Sequence, residues 1–180
     1  MNKYRLVPLL IATTLLLAAC DDTNKGNYTG LGADGSALPG DNVDLSSIPE
    51  APRPGGDFNP EKDVNYQTLA SDTIYFAFDS SVIPGAERGK LQQVGDWLKA
   101  NPGHSLFLAG HADKRGTPEY NRALGERRAL AVREYLVGLG LSADSLFTNS
   151  YGSDRPAVQG DTEDAYAKNR RVEIGVIVRP

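Results

Sequence analysis

A single cysteine, Cys20, stands in this chain of 180 residues, so no disulfide can close within it. There are only two histidines, His104 and His111, too few for a multi-histidine zinc site. Neither sign of charge is in large excess. The formal net charge is -4, which offers no footing for nucleic acid, a partner that calls for a basic patch. Neither a G-x-S-x-G elbow nor a glycine-rich phosphate loop occurs. The apolar run from Leu6 to Leu17 is shorter than the ~20 residues that cross a bilayer as a helix. What is left is room for one modest domain with appendages.

Lys3 and Arg5 precede the apolar run, and Leu17-Ala18-Ala19 lead directly into Cys20. A basic start, a short apolar stretch and small residues at its end predict an export signal over residues 1–19. Leu17-Ala18-Ala19-Cys20 resembles the bacterial lipobox, which implies lipidation of the Cys20 thiol. At about 0.8 kcal/mol per buried methylene, several acyl chains hold a protein on a membrane essentially permanently. The alternative is an ordinary signal peptide followed by a chance cysteine.

From Asp21 to about Asp63 the composition turns to Gly, Pro, Asp, Asn and Ser. Leu31, Leu38, Val43, Leu45 and Ile48 recur there without a period. Such a stretch cannot bury enough surface to offset its ordering entropy. Residues 20–65 are therefore expected to be the lipidated cysteine and a flexible, disordered tether. About 45 residues of this kind have a coil dimension of roughly 40 Å and a stretched reach of about 150 Å.

Residues 66–180 carry the ordered patterns. Thr73 to Phe78 are rich in β-branched and aromatic residues and predict a strand. Leu91, Val94 and Leu98 share one face of a helix expected over 84–100, stopped by Asn101-Pro102-Gly103. Ser105 to Ala109 predict a second strand. The next helix is punctuated at both ends: Thr117 caps it, Pro118 fits its first turn, and Gly138 and Gly140 lie at its far end. A strand near 146–150, a helix near 162–168 and a strand over 171–178 complete the series. Strands alternating with helices give an α/β (α+β) two-layer sandwich.

The long helix contains an anomaly. At 100° per residue, Leu124, Ala131, Val132, Tyr135, Leu136 and Leu139 form one apolar stripe, and Asn121 and Arg128 sit inside it. A charge on a core-facing stripe is costly unless something pairs with it. Side chains lean towards a helix N-terminus, so Arg128 leans back towards the loop carrying Asp113. The reversal at Lys114-Arg115-Gly116 lets the two approach. A fixed acid and a fixed arginine suit a zwitterion, whose ammonium goes to the first and carboxylate to the second. The alternative is an internal Asp113–Arg128 salt bridge with no ligand, in a lipoprotein that binds only proteins. Catalysis is the weaker reading. His104 and His111 stand at opposite ends of a predicted strand, some 20 Å apart at about 3.3 Å per residue, and no nucleophile with its base and orienting group is in view.

His111-Ala112-Asp113, Gly116 to Asn121, Leu124 to Ala129 and Asn169-Arg170-Arg171, in that order, resemble the OmpA-like peptidoglycan-binding domain family, over roughly residues 73–178. The resemblance implies a mixed four-stranded sheet covered by helices, no catalysis and no cofactor. It implies peptidoglycan as partner, bound through the meso-diaminopimelate of its peptide stem. Asp113 would take the ammonium and Arg128 the carboxylate, with Asn121 and Leu124 completing the pocket and Phe78 and Asp79 bordering it. For Asn169-Arg170-Arg171, loop bracing and ligand contact both stay open. Lipoproteins of this family also dock to the propeller protein TolB, within a Tol envelope system, and reside in the outer membrane. Two departures stand out. Ala109 replaces a frequent glutamate, and Asp21 and Asp22 follow Cys20 where acid can favour inner-membrane retention. The tether and binding domain suit the outer membrane, which is the expected location.

Overall fold

Patterning of period two and period 3.6 sorts this chain into one sheet and the helices laid on it. The computed structural model describes residues 54–178; the export signal, Cys20 and most of the expected tether lie outside the described residues. Two short strands, β1 (Val64–Asn65) and β2 (Ile74–Tyr75), precede helix α1 (Arg88–Ala100). Strand β3 (Ser105–His111), helix α2 (Pro118–Gly138), strand β4 (Leu146–Gly152), helix α3 (Glu163–Asn169) and strand β5 (Arg171–Ile177) follow. The sheet runs β1-β5-β3-β4, with β2 pairing the other end of β5. β3 and β4 are parallel, so the chain must cross over between them, and α2 makes that crossing. β5 lies antiparallel to β3, with Leu108 opposite Ile174.

Alternation along β3 divides the core. Leu106 and Leu108 join Ile74, Leu91, Val94, Val132, Leu136 and Ile174 beneath the helices. Phe107 and Ala109 belong to a second cluster with Phe147 and Ile177, against which Phe58, Val64, Tyr66 and Tyr151 pack. The helix approaches the sheet most closely through two glycines. A Cβ on Gly110 would collide with the Gly125 carbonyl, so α2 lies backbone to backbone against β3 at that point. This contact fixes the first turns of α2 beside the end of β3.

Several expectations change. The sheet has a fifth strand, β1, and Phe58 packs on Phe107 at 5.4 Å between ring centres, so the expected 20–65 tether is shortened at its end. Two residues carry no readable period. The strand expected over 73–78 stops at Tyr75, because side chains take the carbonyls that would continue it: Arg170 Nε donates to Phe76 O (3.1 Å) and Arg128 Nη2 to Ala77 O (3.2 Å). The first helix begins with a 3-10 turn at Gly85–Glu87 and becomes α-helical only at Arg88. No capping side chain stands at its start, so the chain winds in gradually. β3 and β4 each run two residues longer than expected, to His111 and Gly152, across an irregularity after Gly110.

Candidate functional site

The end of β3 delivers Asp113 into a tight turn. Its Oδ1 accepts the Arg115 backbone N–H at 3.0 Å, and Gly116, at φ 95°, reverses the chain. Thr117 then caps α2 by accepting the Tyr120 N–H at 3.2 Å. Asp113 is only 5% exposed, and its carboxylate is fully engaged. Oδ1 also accepts Arg115 Nε (3.1 Å), while Oδ2 accepts Arg115 Nη2 (2.6 Å) and Arg170 Nη1 (3.3 Å). Four donors fill the roughly four acceptor positions of a carboxylate. Burial alone would raise the Asp113 pKa, but the bonds from Arg115, with a further one from Arg170, outweigh it and hold the group below the usual carboxylate value.

Arg128 is on the apolar stripe of α2, as expected, and is 0% exposed. Its partners are backbone carbonyls: Nε donates to Ser80 O (2.8 Å), Nη1 to His111 O (2.8 Å) and Nη2 to Ala77 O (3.2 Å). The guanidinium thus ties the loop after β2 to the end of β3, with Phe76 beneath it at 5.3 Å. Three of its five donors are used, leaving one on each terminal nitrogen. Burial lowers its pKa to about 10, with Asp113 opposing that change and Arg170 adding to it. The internal Asp113–Arg128 salt bridge is not formed. Asp113 is braced by Arg115 and Arg170 instead.

The other expected site residues gather around these two. Asn121 is buried on the first turn of α2, beside the Gly116 reversal, and its Nδ2 has no partner among the described residues. Leu124 is buried one turn further on. Phe78 is 52% exposed and lies against the Arg115 guanidinium at 4.1 Å; Tyr166 of α3 flanks the same group at 4.4 Å. Asp79 adopts φ 50° and accepts the Tyr120 hydroxyl.

Arg115, Tyr166 and Tyr120 join this cluster without being candidates in the sequence, and Arg170, for which bracing and ligand contact were both open, is placed on Asp113. The Asp-x-Arg-Gly spacing of a side-chain-closed turn was the one local signal for Arg115. The Asn169-Arg170-Arg171 motif marks Arg170, but its partner Asp113 lies 57 residues away in the chain and nothing local pairs the two. Its neighbours are braces: Asn169 exchanges two hydrogen bonds with the Val158 backbone, and Arg171 pairs with Glu173 at 2.6 Å. Ala109 lies opposite that same Glu173 in the sheet, so Arg171 supplies the partner for the acid facing the departed position. His104 and His111 flank β3 at its two ends, and no group of three metal-ligating side chains occurs among the described residues. No described helix is long and apolar enough to cross a membrane.

Residues 75–170 match the OmpA family. The chain is 36% identical over 177 residues to the peptidoglycan-associated lipoprotein of Agrobacterium fabrum, covering 95% of this chain and 88% of that one. It is 49% identical over 100 residues to the peptidoglycan-associated lipoprotein of Haemophilus influenzae, covering 56% and 65% respectively. Among solved structures, the peptidoglycan-associated lipoprotein of Burkholderia pseudomallei superposes with a TM-score of 0.57 at 38% identity, covering 58% of this chain and 88% of that one.

Proposed function

This chain belongs to the OmpA family, among its peptidoglycan-associated lipoproteins, and on that premise we propose that it binds the diaminopimelate-bearing peptide stem of peptidoglycan and ties the outer membrane to the cell wall. The observation that carries this reading is the buried Asn121 Nδ2, left without a partner at the turn that presents Asp113. An unsatisfied buried donor costs about 1–3 kcal/mol, a cost that a ligand oxygen removes. Asp113 takes the ammonium of the diaminopimelate centre, and the two uncommitted N–H groups of Arg128 take its carboxylate. Asn121 holds a further oxygen, Leu124 supplies an apolar wall, and Phe78 and Asp79 form the rim. The work is binding, with neither catalysis nor a cofactor.

The anchor in this reading is lipid on Cys20, and the linker gives the domain reach from the membrane. The outer membrane is the proposed location despite Asp21, and TolB is the proposed protein partner within a Tol–Pal system of envelope integrity and division. Both proposals draw on the kinship with the lipoproteins of this family. Fractionation that finds the lipoprotein only with inner-membrane markers would overturn the first, and failure of purified TolB to bind would overturn the second.

Calorimetric titration of the mature chain, with Cys20→Ser to remove the lipid, tests the wall function. One stem peptide carries meso-diaminopimelate, and the other carries lysine, which lacks the second carboxylate. The expected result is binding of the first and much weaker binding of the second. Equal binding of both would remove the zwitterion pocket, and binding of neither would remove the wall function.

A further inference from the structure

Both poles of the pocket are closed in this structure. Arg128 lies wholly beneath the surface, and every acceptor position of Asp113 is occupied. A ligand ammonium can reach Asp113 only if a guanidinium leaves it. Of the three arginines in this cluster, two are fixed. Arg128 holds three backbone carbonyls, and Arg170 holds Phe76 O, so withdrawing either would strand buried acceptors. Arg115 is different. Its side chain is 34% exposed and bonds only to carboxylates, those of Asp113 and the exposed Glu163. It can swing away without orphaning a single carbonyl. Glu163, already 3.2 Å from its Nη1, and the Tyr166 ring give it somewhere to rest.

We propose that Arg115 is a displaceable internal ligand: its guanidinium occupies on Asp113 the place that the ligand ammonium takes, and its displacement makes the pocket select zwitterions. This deepens the peptide-stem reading above and rests on it. The selectivity follows from charge. Arg115, Arg128 and Arg170 face Asp113, Asp79 and Glu163, an even balance, with Asp113, Arg128 and Arg170 buried at its centre and Asp79 and Glu163 at its exposed edge. Admitting a zwitterionic centre preserves the balance. Admitting a simple ammonium such as a lysine side chain adds one uncompensated positive charge beside three arginines. Arg115 therefore acts as a specificity-determining residue as well as a plug.

The test uses the mature chain with Cys20→Ser, its Arg115→Ala and Arg115→Gln variants, and the same two stem peptides, with thermal unfolding to verify that each variant is folded. Both substitutions should tighten binding of the diaminopimelate peptide by about two- to five-fold, the range set by a partly exposed ion pair. They should tighten binding of the lysine peptide by more, so that discrimination narrows. In the wild type, nitrogen-15 spectra should show the Arg115 Nε–H protected from exchange when free and exposed when the diaminopimelate peptide saturates the pocket. Wild-type binding with unchanged or weakened affinity in both variants overturns the plug and leaves the wall-binding reading standing, as does an Arg115 Nε–H unmoved by saturation. No binding by wild type or variants overturns both.

Discussion

At the Ser105 end of β3 an open cleft of about 360 Å³ is walled by Trp97, His104, Val176 and Val178. At the His111 end a smaller cleft of about 150 Å³ lies beside Ala112, Lys114 and Asn169, and the space around Asp113 is taken by three arginines and the rings of Phe78 and Tyr166. The open end is satisfied: Trp97 and His104 meet edge to face at 5.6 Å, and none of the cleft's side chains is a buried polar group without a partner. The filled end is the unsatisfied one, with Asn121 Nδ2 buried and alone. On the reading proposed above, a recognition site need not be a void. Where a ligand is charged, the protein's own charges can occupy its place, and the sign of a site is then a saturated acid beside an orphaned donor.

The sharpest way to break this comparison is to remove one large group at each end, the buried Arg128 and the partly buried Trp97. Arg128→Met withdraws donors from three carbonyls and should lower stability by about 3–5 kcal/mol in urea unfolding, with stem-peptide binding lost. Trp97→Ala should cost about 3 kcal/mol and leave the binding constant where it was. Weakened binding in Trp97→Ala would show that the open cleft belongs to the site.

A second contrast lies across the sheet. His111 faces away from the helices, stacked on Tyr151 at 5.4 Å, with neither ring nitrogen hydrogen-bonded and the Glu173 carboxylate 3.8 Å from Nε2. Burial, then Arg171 and Arg155, hold its pKa down at about 3. The unfolded chain takes up this proton near pH 6.5 and the folded chain does not. The histidine's contribution is therefore complete above pH 6.5 and is lost as pH falls towards 3. Between pH 7 and pH 5 this amounts to about 2 kcal/mol. His111→Phe should flatten that part of the stability curve without changing peptide affinity at pH 7. A wild-type slope surviving in the variant would assign the acid sensitivity elsewhere.

The smallest effect on stability is expected at Asp113. Much of its pairing is to the half-exposed Arg115, so Asp113→Asn should cost only about 1 kcal/mol at pH 7 while abolishing peptide binding. The Asp113 contribution is present above about pH 4, the unfolded value, and disappears as pH falls through the depressed folded value, so the variant should converge with wild type in strong acid. A loss of several kcal/mol at pH 7 would mean that the carboxylate is chiefly a structural brace.

Features fixed by neighbouring residues were legible in the sequence. Thr117 and Pro118 start α2 as expected, and the 3.6-residue period put Arg128 on its buried face because helix geometry alone decides that. What decided the rest was distant. β2 ends where it does because guanidinium groups 51 and 94 residues away take its carbonyls. The partners of Asp113 are hidden from the sequence for a related reason. A helix wheel sees Arg128, but it cannot see Arg115 in the turn before the helix or Arg170 after α3. β1 escaped notice because two residues cannot display alternation; only pairing with Val176 and Ile177 defines it.

That small strand has a mechanical consequence. Any pull reaching the domain from residues before 54 meets Phe58 and β1 first, and β1 is held by only two residue pairs. β3, by contrast, is paired along its length on both sides. Under tension the strap should peel first, releasing roughly 40 Å of extra chain over 58–69 at about 3.4 Å per residue. Asp113, Arg128 and the glycine-to-glycine seat of α2 lie beyond the peeled segment, so the proposed pocket stays intact while the strap yields.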